Sequence, residues 1–389
     1  MSVMDVNAPL VLLGGLSPAR FMRRHWQTKP LLVRQAWPGV QAPLTRAALF
    51  ALAAEDGVES RCVQREGQGA DERWHLRSGP LPRRSMPPVR QPDWTLLVQG
   101  LDHHSSAAHD LLAPFAFLPH ARLDDLMLSW ASEGGGVGPH LDSYDVFLLQ
   151  VQGQRRWQVG AARNTKDAAW RDDVPLKILR NFQPRHDWVL NPGDMLYLPP
   201  GWAHDGTAVG GECMSASIGL RAPAASTLAS EVLQRLADVA ADSLSDQRGL
   251  YSDRRQPATE SPGQIPPALL AFAQVAVARC LTDPQAIERA LGEVLSEPKP
   301  QVWFSPPPAN EPMASIAAGI RLAAATRMLY DQRHVYINGD SLRASGRDAR
   351  LLHWLSDQRK LSANELKGLS ASAHDVMTQW LHDGWLLPL

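Results

Sequence analysis

Cysteine is scarce in this chain: three occur in 389 residues, Cys62, Cys213 and Cys280, far apart and without a C-x-x-C pair. That excludes a disulfide framework and a cysteine-built zinc site, and it fits a reducing cytoplasm. Long apolar runs are also missing. No stretch reaches the roughly 18 consecutive apolar residues of a membrane span, and the N-terminus lacks the basic and apolar blocks of an export signal. The expectation is a soluble, cytoplasmic protein. Charge of one sign is lacking too, with 39 Lys and Arg against 40 Asp and Glu, so no overall field draws in nucleic acid. The length calls for two or three domains.

Residues 1–222 read as mixed. Helices are expected around 17–26, 44–54 and His104–Leu112. Short strands are expected at Trp94–Gln99, Asp125–Ala131, Asp145–Val151, Arg156–Val159, Trp188–Leu190, Asp194–Leu198 and Cys213–Arg221, separated by the turn signals GGGVG, QGQ and NPGD. Many short strands at this spacing favour an antiparallel barrel or sandwich. From Ala224 to Leu244 the apolar residues recur at helical intervals. After a Pro-rich break at Ser252–Pro267, further helices are expected at Ala268–Leu281 and Gln285–Leu295. Beyond the Pro306–Pro308 tract come a strand at His334–Asn338 and helices at Arg347–Asp357, Ala363–Leu369 and Ala373–Asp383, an order that resembles a winged helix. Asp357, Glu365, Asp375 and Asp383 offset the local basic residues there, which argues for protein contact over nucleic acid.

The chemistry concentrates in GGGVGPHLDSYDVFLLQ, where His140 and Asp142 are two apart and leave the same face of an extended strand. A third ligand is available from NPGDMLYLPPGWAHDG, which carries His204 beyond a Pro-Gly turn. Two imidazoles and one carboxylate leave three open positions on a metal, the arrangement of non-haem iron(II) oxygenases, with room for a bidentate 2-oxo acid and for dioxygen. The far carboxylate of 2-oxoglutarate needs a buried cation, and an Arg fork suits it. Arg155 and Arg156 in GQRRW both qualify, one pointing inward and the other outward. The Gly134–Gly136 run lacks the GK[ST] ending of a phosphate loop and reads as a flexible lip beside the metal. Trp157, Trp188 and Trp202 fit either a substrate mouth or, more commonly for strand aromatics, the core. His103, His104 and His109 are expected to face solvent without a role.

The stretch DDLMLSWASEGGGVGPHLDSYDVFLLQVQGQRRWQVG, with FMRRHWQTKPLLVRQAW and PGDMLYLPPGWAHDG, resembles the bacterial JmjC-type ribosomal oxygenases. These include the arginine hydroxylases of large-subunit ribosomal protein uL16. The resemblance spans essentially the whole chain. It implies an α+β fold: a double-stranded β-helix (cupin/JmjC) catalytic domain over 1–222, a helical dimerisation section over 223–300 and a winged helix over 301–389. It further implies that His140, Asp142 and His204 bind Fe(II), that Arg155 binds the distal carboxylate of 2-oxoglutarate, and that Ser129 assists. The implied activity is hydroxylation of an arginine β-carbon in uL16 by a homodimer, with dioxygen as cosubstrate. Glu133, Tyr144 and Asp145 flank the motif as candidate guanidinium partners. Two alternatives remain open, a histidine target in another ribosomal protein and a non-catalytic metal-binding cupin.

Overall fold

The computed structural model describes residues 4–389 except 68, 163–167, 246–249, 255–256, 259–262, 281–282, 284 and 306–317. The Pro306–Pro308 tract and part of the Ser252–Pro267 break therefore lie outside the described residues. The chain forms two compact units, Met1–Ala222 with Gln301–Trp303, and Pro223–Pro300 with Phe304–Leu389. Among the described residues no helix is long and apolar enough to cross a membrane.

Among its described residues the first unit contains nine strands: β1 (Leu31–Val33), β2 (Ser60–Glu66), β3 (Arg73–Ser78), β4 (Trp94–Val98), β5 (Leu123–Ala131), β6 (Asp145–Ala162), β7 (His186–Leu190), β8 (Met195–Leu198) and β9 (Trp202–Leu220). They pair antiparallel in the order β1-β8-β6-β9-β5-β4-β2-β3, with β7 on the other half of β6. β6 and β9 run side by side along their whole length, Asp145 opposite Leu220 and Val159 opposite His204. Their two halves turn over one another, so Val146 and Leu148 share a buried cluster with Trp157, Val159 and Leu190. This is the double-stranded β-helix arrangement.

Two expectations are corrected by these long strands. Asp145–Val151 and Arg156–Val159 were read as separate strands divided by a QGQ turn, but they are one strand carrying a bulge, its register slipping between Gln150 and Gln154. Gly153 supplies the left-handed backbone (φ 62°), and the Gln150 amide donates to the carbonyls of Gln152 (2.8 Å) and Gly153 (3.2 Å) in place of ladder bonds. Likewise β9 begins at Trp202, well before the expected Cys213. Turn residues inside a strand with a continuous partner bend the ladder instead of ending it.

Strand alternation gives the major sheet two faces. The outer one, with Trp94, Leu128, Trp130, Phe147, Tyr197 and Ile218, forms the main core against Phe21, Leu49, Phe50 and Phe115 from the helical segments. The N-terminal helix spans Pro18–Arg24, starting where the Ser17 hydroxyl accepts from Arg20 N–H (3.3 Å) with Pro18 in the first turn. Thr45 caps Arg46–Leu52 in the same way.

The second unit opens with helices Ala225–Ser245, Pro267–Cys280 and Ala286–Ser296. Two three-stranded antiparallel sheets and helices Gly346–Gln358 and Ala371–His382 then surround a core of Ile320, Val335, Ile337, Leu355, Met377, Trp380 and Leu386. His334–Ile337 is the expected strand, and Gly319–Leu322, Met328–Tyr330, Asp340–Arg343, Lys360–Ser362 and Leu386–Pro388 are further short strands that the sequence pattern did not indicate.

Candidate metal centre

His140 and Asp142 are not on a strand but in the extended segment leading into β6. The segment is held against the start of β9: His140 N–H donates to the His204 carbonyl (2.9 Å) and His204 N–H to the His140 carbonyl (3.0 Å). Gly201 N–H donates to the Asp142 carbonyl (2.7 Å). These bonds bring the two imidazole centroids to 4.2 Å.

The Asp142 carboxylate lies 3.5 Å from His204 Nε2 and 4.0 Å from His140 Nε2, and one ligand atom from each of the three residues lies within 4.8 Å of the others. Both histidine Nδ1 atoms face carbonyls, Gly138 O for His140 (2.9 Å) and Trp202 O for His204 (2.8 Å). A carbonyl only accepts, so Nδ1 carries the proton and Nε2 offers its lone pair to the shared point. Burial, reinforced by His140, pushes the His204 imidazole down to about 4, so it is neutral at pH 7. The arrangement can hold one divalent ion. No other such cluster occurs among the described residues.

Alternation along β6 sorts the two arginines. Arg156 points to solvent and pairs with Asp187, its Nε 2.7 Å from Oδ1. Arg155 points inward, only 3 % exposed, and donates to Ser129 Oγ (3.3 Å) and the Gly206 carbonyl (3.1 Å). Its guanidinium lies 5.1 Å from the Trp157 ring, which in turn lies tilted beside the His204 ring (centroids 5.8 Å). Gly206 makes this possible, since a Cβ there would meet Trp157 at 2.6 Å and Arg155 Nε at 2.8 Å. Among the described residues no carboxylate pairs with Arg155, and its Nε, Trp157 Nε1 and Thr95 Oγ1 are buried without partners. A buried cation with spare donors is costly unless an anion completes it.

The flanking candidates separate. Tyr144 is 40 % exposed, with the Asp142 and Asp125 carboxylates and Arg61 close to its hydroxyl. Glu133 is exposed and accepts the Gly211 N–H, tying down the β9 bulge. Asp145 is fully buried and bound by three donors, so it is not a rim residue and cannot meet a substrate. Asp125, near the irregular start of β5, is only 6 % exposed and accepts the Gly100 N–H (3.2 Å), so it is held within the fold.

Other expectations also change. The glycine run is a packed strap, because a Cβ on Gly135 would lie 2.3 Å from Trp94 O and one on Gly136 2.5 Å from Gly206 O. Trp157, Trp188 and Trp202 all belong to the cluster between the two halves of the barrel. His104 is exposed as expected, but His103 and His109 are half-buried, His103 beside Asp102 (3.4 Å).

Comparison with known proteins agrees with this geometry. Residues 110–228 match the JmjC domain family, and residues 279–387 match the ROXA-like winged helix. The chain is 33 % identical over 340 residues to the ribosomal protein uL16 3-hydroxylase of Escherichia coli (strain K12), covering 85 % of this chain and 86 % of that one. The X-ray structure of E. coli ycfD superposes with a TM-score of 0.77 at 29 % identity, covering 94 % of this chain and 96 % of that one. YcfD in complex with cobalt and 2-oxoglutarate superposes at 0.75 and 28 % identity, covering 96 % and 98 %. With a matched domain at each end and a shared fold along nearly its whole length, this chain belongs to the JmjC-type ribosomal oxygenases.

Proposed function

We propose that this chain is an iron(II)- and 2-oxoglutarate-dependent hydroxylase of an arginine β-carbon in ribosomal protein uL16. The observation that carries the reading is Arg155, a buried guanidinium with an orphaned Nε and, among the described residues, no carboxylate within ion-pair distance, Asp205 acting on it only from farther away. The far carboxylate of 2-oxoglutarate supplies that partner, with Ser129 Oγ beside it. His140, Asp142 and His204 hold the iron, and their two-imidazole, one-carboxylate set suits iron with open positions. When bound, the iron with 2-oxoglutarate and dioxygen supplies an oxidant able to hydroxylate an unreactive C–H bond, giving succinate and carbon dioxide.

The chain's own residues bind, orient and exclude water. The Gly138 and Trp202 carbonyls keep both imidazoles aimed, and Trp157 walls the site beside His204. Tyr144 and Glu133, both exposed beside the metal motif, suit a cationic side chain entering at the mouth. The name of the E. coli relative supports uL16 as the target.

The test is incubation of the chain with Fe(II), 2-oxoglutarate and uL16 or its loop peptide. Mass spectrometry is expected to find one added oxygen on an arginine, and an unmodified peptide overturns the assignment. Gain on a histidine peptide from another ribosomal protein would favour that alternative, and absence of succinate would favour a non-catalytic cupin. Residues 1–222 are assigned as catalytic domain, 223–300 as dimerisation section and 301–389 as winged helix, acting in the cytoplasm as a homodimer without direct nucleic-acid binding. Helix Pro267–Cys280 supports self-association by exposing Leu270 (55 %), Val275 (51 %) and Val277 (63 %). A monomeric mass in solution would overturn the dimer.

A further inference from the structure

Asp145 is 0 % exposed, three residues beyond Asp142, and no step assigned above uses it. A carboxylate taken wholly out of water must be held by several donors. Here Tyr197 Oη donates at 2.6 Å, Gln27 Nε2 at 3.0 Å and Arg122 at 3.3 Å. The Tyr197 hydroxyl is itself completed by the Gln27 N–H at 2.8 Å. Gln27 gives both bonds from a left-handed backbone (φ 52°), an uncommon conformation for a residue with a Cβ. Trp26 stacks on Tyr197 (centroids 6.1 Å, 14°), and Arg122 lies 5.4 Å from the Trp26 ring. Two aromatic residues, an amide and a guanidinium from three separate parts of the chain thus close on one carboxylate at the first residue of β6.

The position of that residue matters for what precedes it. Ser143 and Tyr144 are bends outside the strand, and the segment is pinned upstream by the His140–His204 pair and by Gly201 on the Asp142 carbonyl. Asp145 is its downstream pin. We propose that Asp145 is a positioning residue: its bonds to Tyr197 and Gln27 fix where Asp142 presents its carboxylate and where Tyr144 stands at the mouth. The N-terminal segment around Gln27, remote in sequence, is thereby part of the metal half-site. This rests on the metal reading given above.

The test uses the full chain and Co(II) alone as probe, titrated by its visible absorption. Tyr197→Phe keeps the ring and its packing while removing the hydroxyl that both donates to Asp145 and accepts from Gln27. It is expected to weaken Co(II) binding about tenfold, within the range typical of residues that support metal ligands, and to alter the Co(II) spectrum. Asp145→Asn is expected to do more and Gln27→Ala, in an exposed segment, less. Leu49→Ala removes packing from the same core without touching the network, and is expected to lower stability while leaving Co(II) affinity unchanged.

If Tyr197→Phe and Gln27→Ala bind Co(II) with wild-type affinity and spectrum, the inference is wrong. Equal weakening in Leu49→Ala also overturns it, because the effect would then be general stability. A wild-type chain that takes up no Co(II) overturns the metal reading and this inference with it. A wild-type chain that binds, with variants that bind equally, overturns this inference alone.

Discussion

The two faces of the major sheet are made by the same strands and have opposite characters. Outward, Trp94, Leu128, Phe147, Tyr197 and Ile218 are almost wholly buried in one aromatic and aliphatic core. Inward, at alternate positions, Thr95, Ser129, Gln150 and Ser215 bring polar atoms into an equally dry interior, where Ser129 meets Arg155 and Ser215 bonds Gln150. The outer face gains stability from burial and leaves Trp130 Nε1 alone without a partner among its described core residues, whereas the inner face leaves Thr95 Oγ1, Arg155 Nε and Trp157 Nε1. Unspent donors mark where a ligand completes the structure. A period of two therefore separates what holds this protein together from what it does.

Variants on either face can break that separation. The largest effect is expected from His204→Ala or Asp142→Ala, which should abolish Co(II) uptake and succinate release while the chain stays folded by circular dichroism. Next comes Phe147→Ala on the outer face, expected to cost about 3–5 kcal/mol in denaturant unfolding, with the Michaelis constant for 2-oxoglutarate unchanged in the folded fraction. Arg155→Ala should weaken 2-oxoglutarate binding by about 2–5 kcal/mol by calorimetry. Arg156→Ala, losing only an exposed pair, should change it by less than about 0.5 kcal/mol. Equal effects of the two arginines would erase the distinction between the faces.

Acid should act through the inner face as well. Burial depresses the His204 imidazole to about 4, below its ordinary value of about 6.5. Its contribution to the stability of the metal-free chain is therefore complete above about 6.5 and lost as pH falls through about 4, because the unfolded chain takes up the proton first. Unfolding midpoints should drop from pH 7 to pH 5, and His204→Gln should flatten that drop. An effect between those of the two arginines is expected for Ser129→Ala, about 0.5–1.5 kcal/mol in 2-oxoglutarate binding.

The legible part of the site was its residue types and spacings. His140, Asp142 and His204 stood out because few chemistries use that set, and alternation alone placed one of Arg155 and Arg156 inside. Asp145 misled for a physical reason: a charged residue in a polar motif reads as exposed, and only its three distant donors, Gln27, Arg122 and Tyr197, made burial possible. Gly134–Gly136 misled similarly. Glycine permits both a loose loop and a close backbone approach, and the neighbours Trp94 and Gly206 determine which occurs. β2 and β3 escaped notice because Arg and Gln interrupt their apolar pattern, although pairing of β2 with β4 and of β3 with β2 makes them strands.

By itself the sequence determined the local terms: period-two strands, the Ser17 and Thr45 helix starts, a ligand set selective for a metal with open positions, and the change to helical periodicity near residue 224. Those depend on neighbours within a few residues. The tertiary structure decided that two expected strands are one bent strand, that Arg155 is the inward arginine with no carboxylate in ion-pair distance among the described residues, and that Asp145 is buried among three distant donors. These properties depend on which groups from distant parts of the chain share a volume without water. Burial and pairing set the free energy of a charge, and neither can be read along the chain.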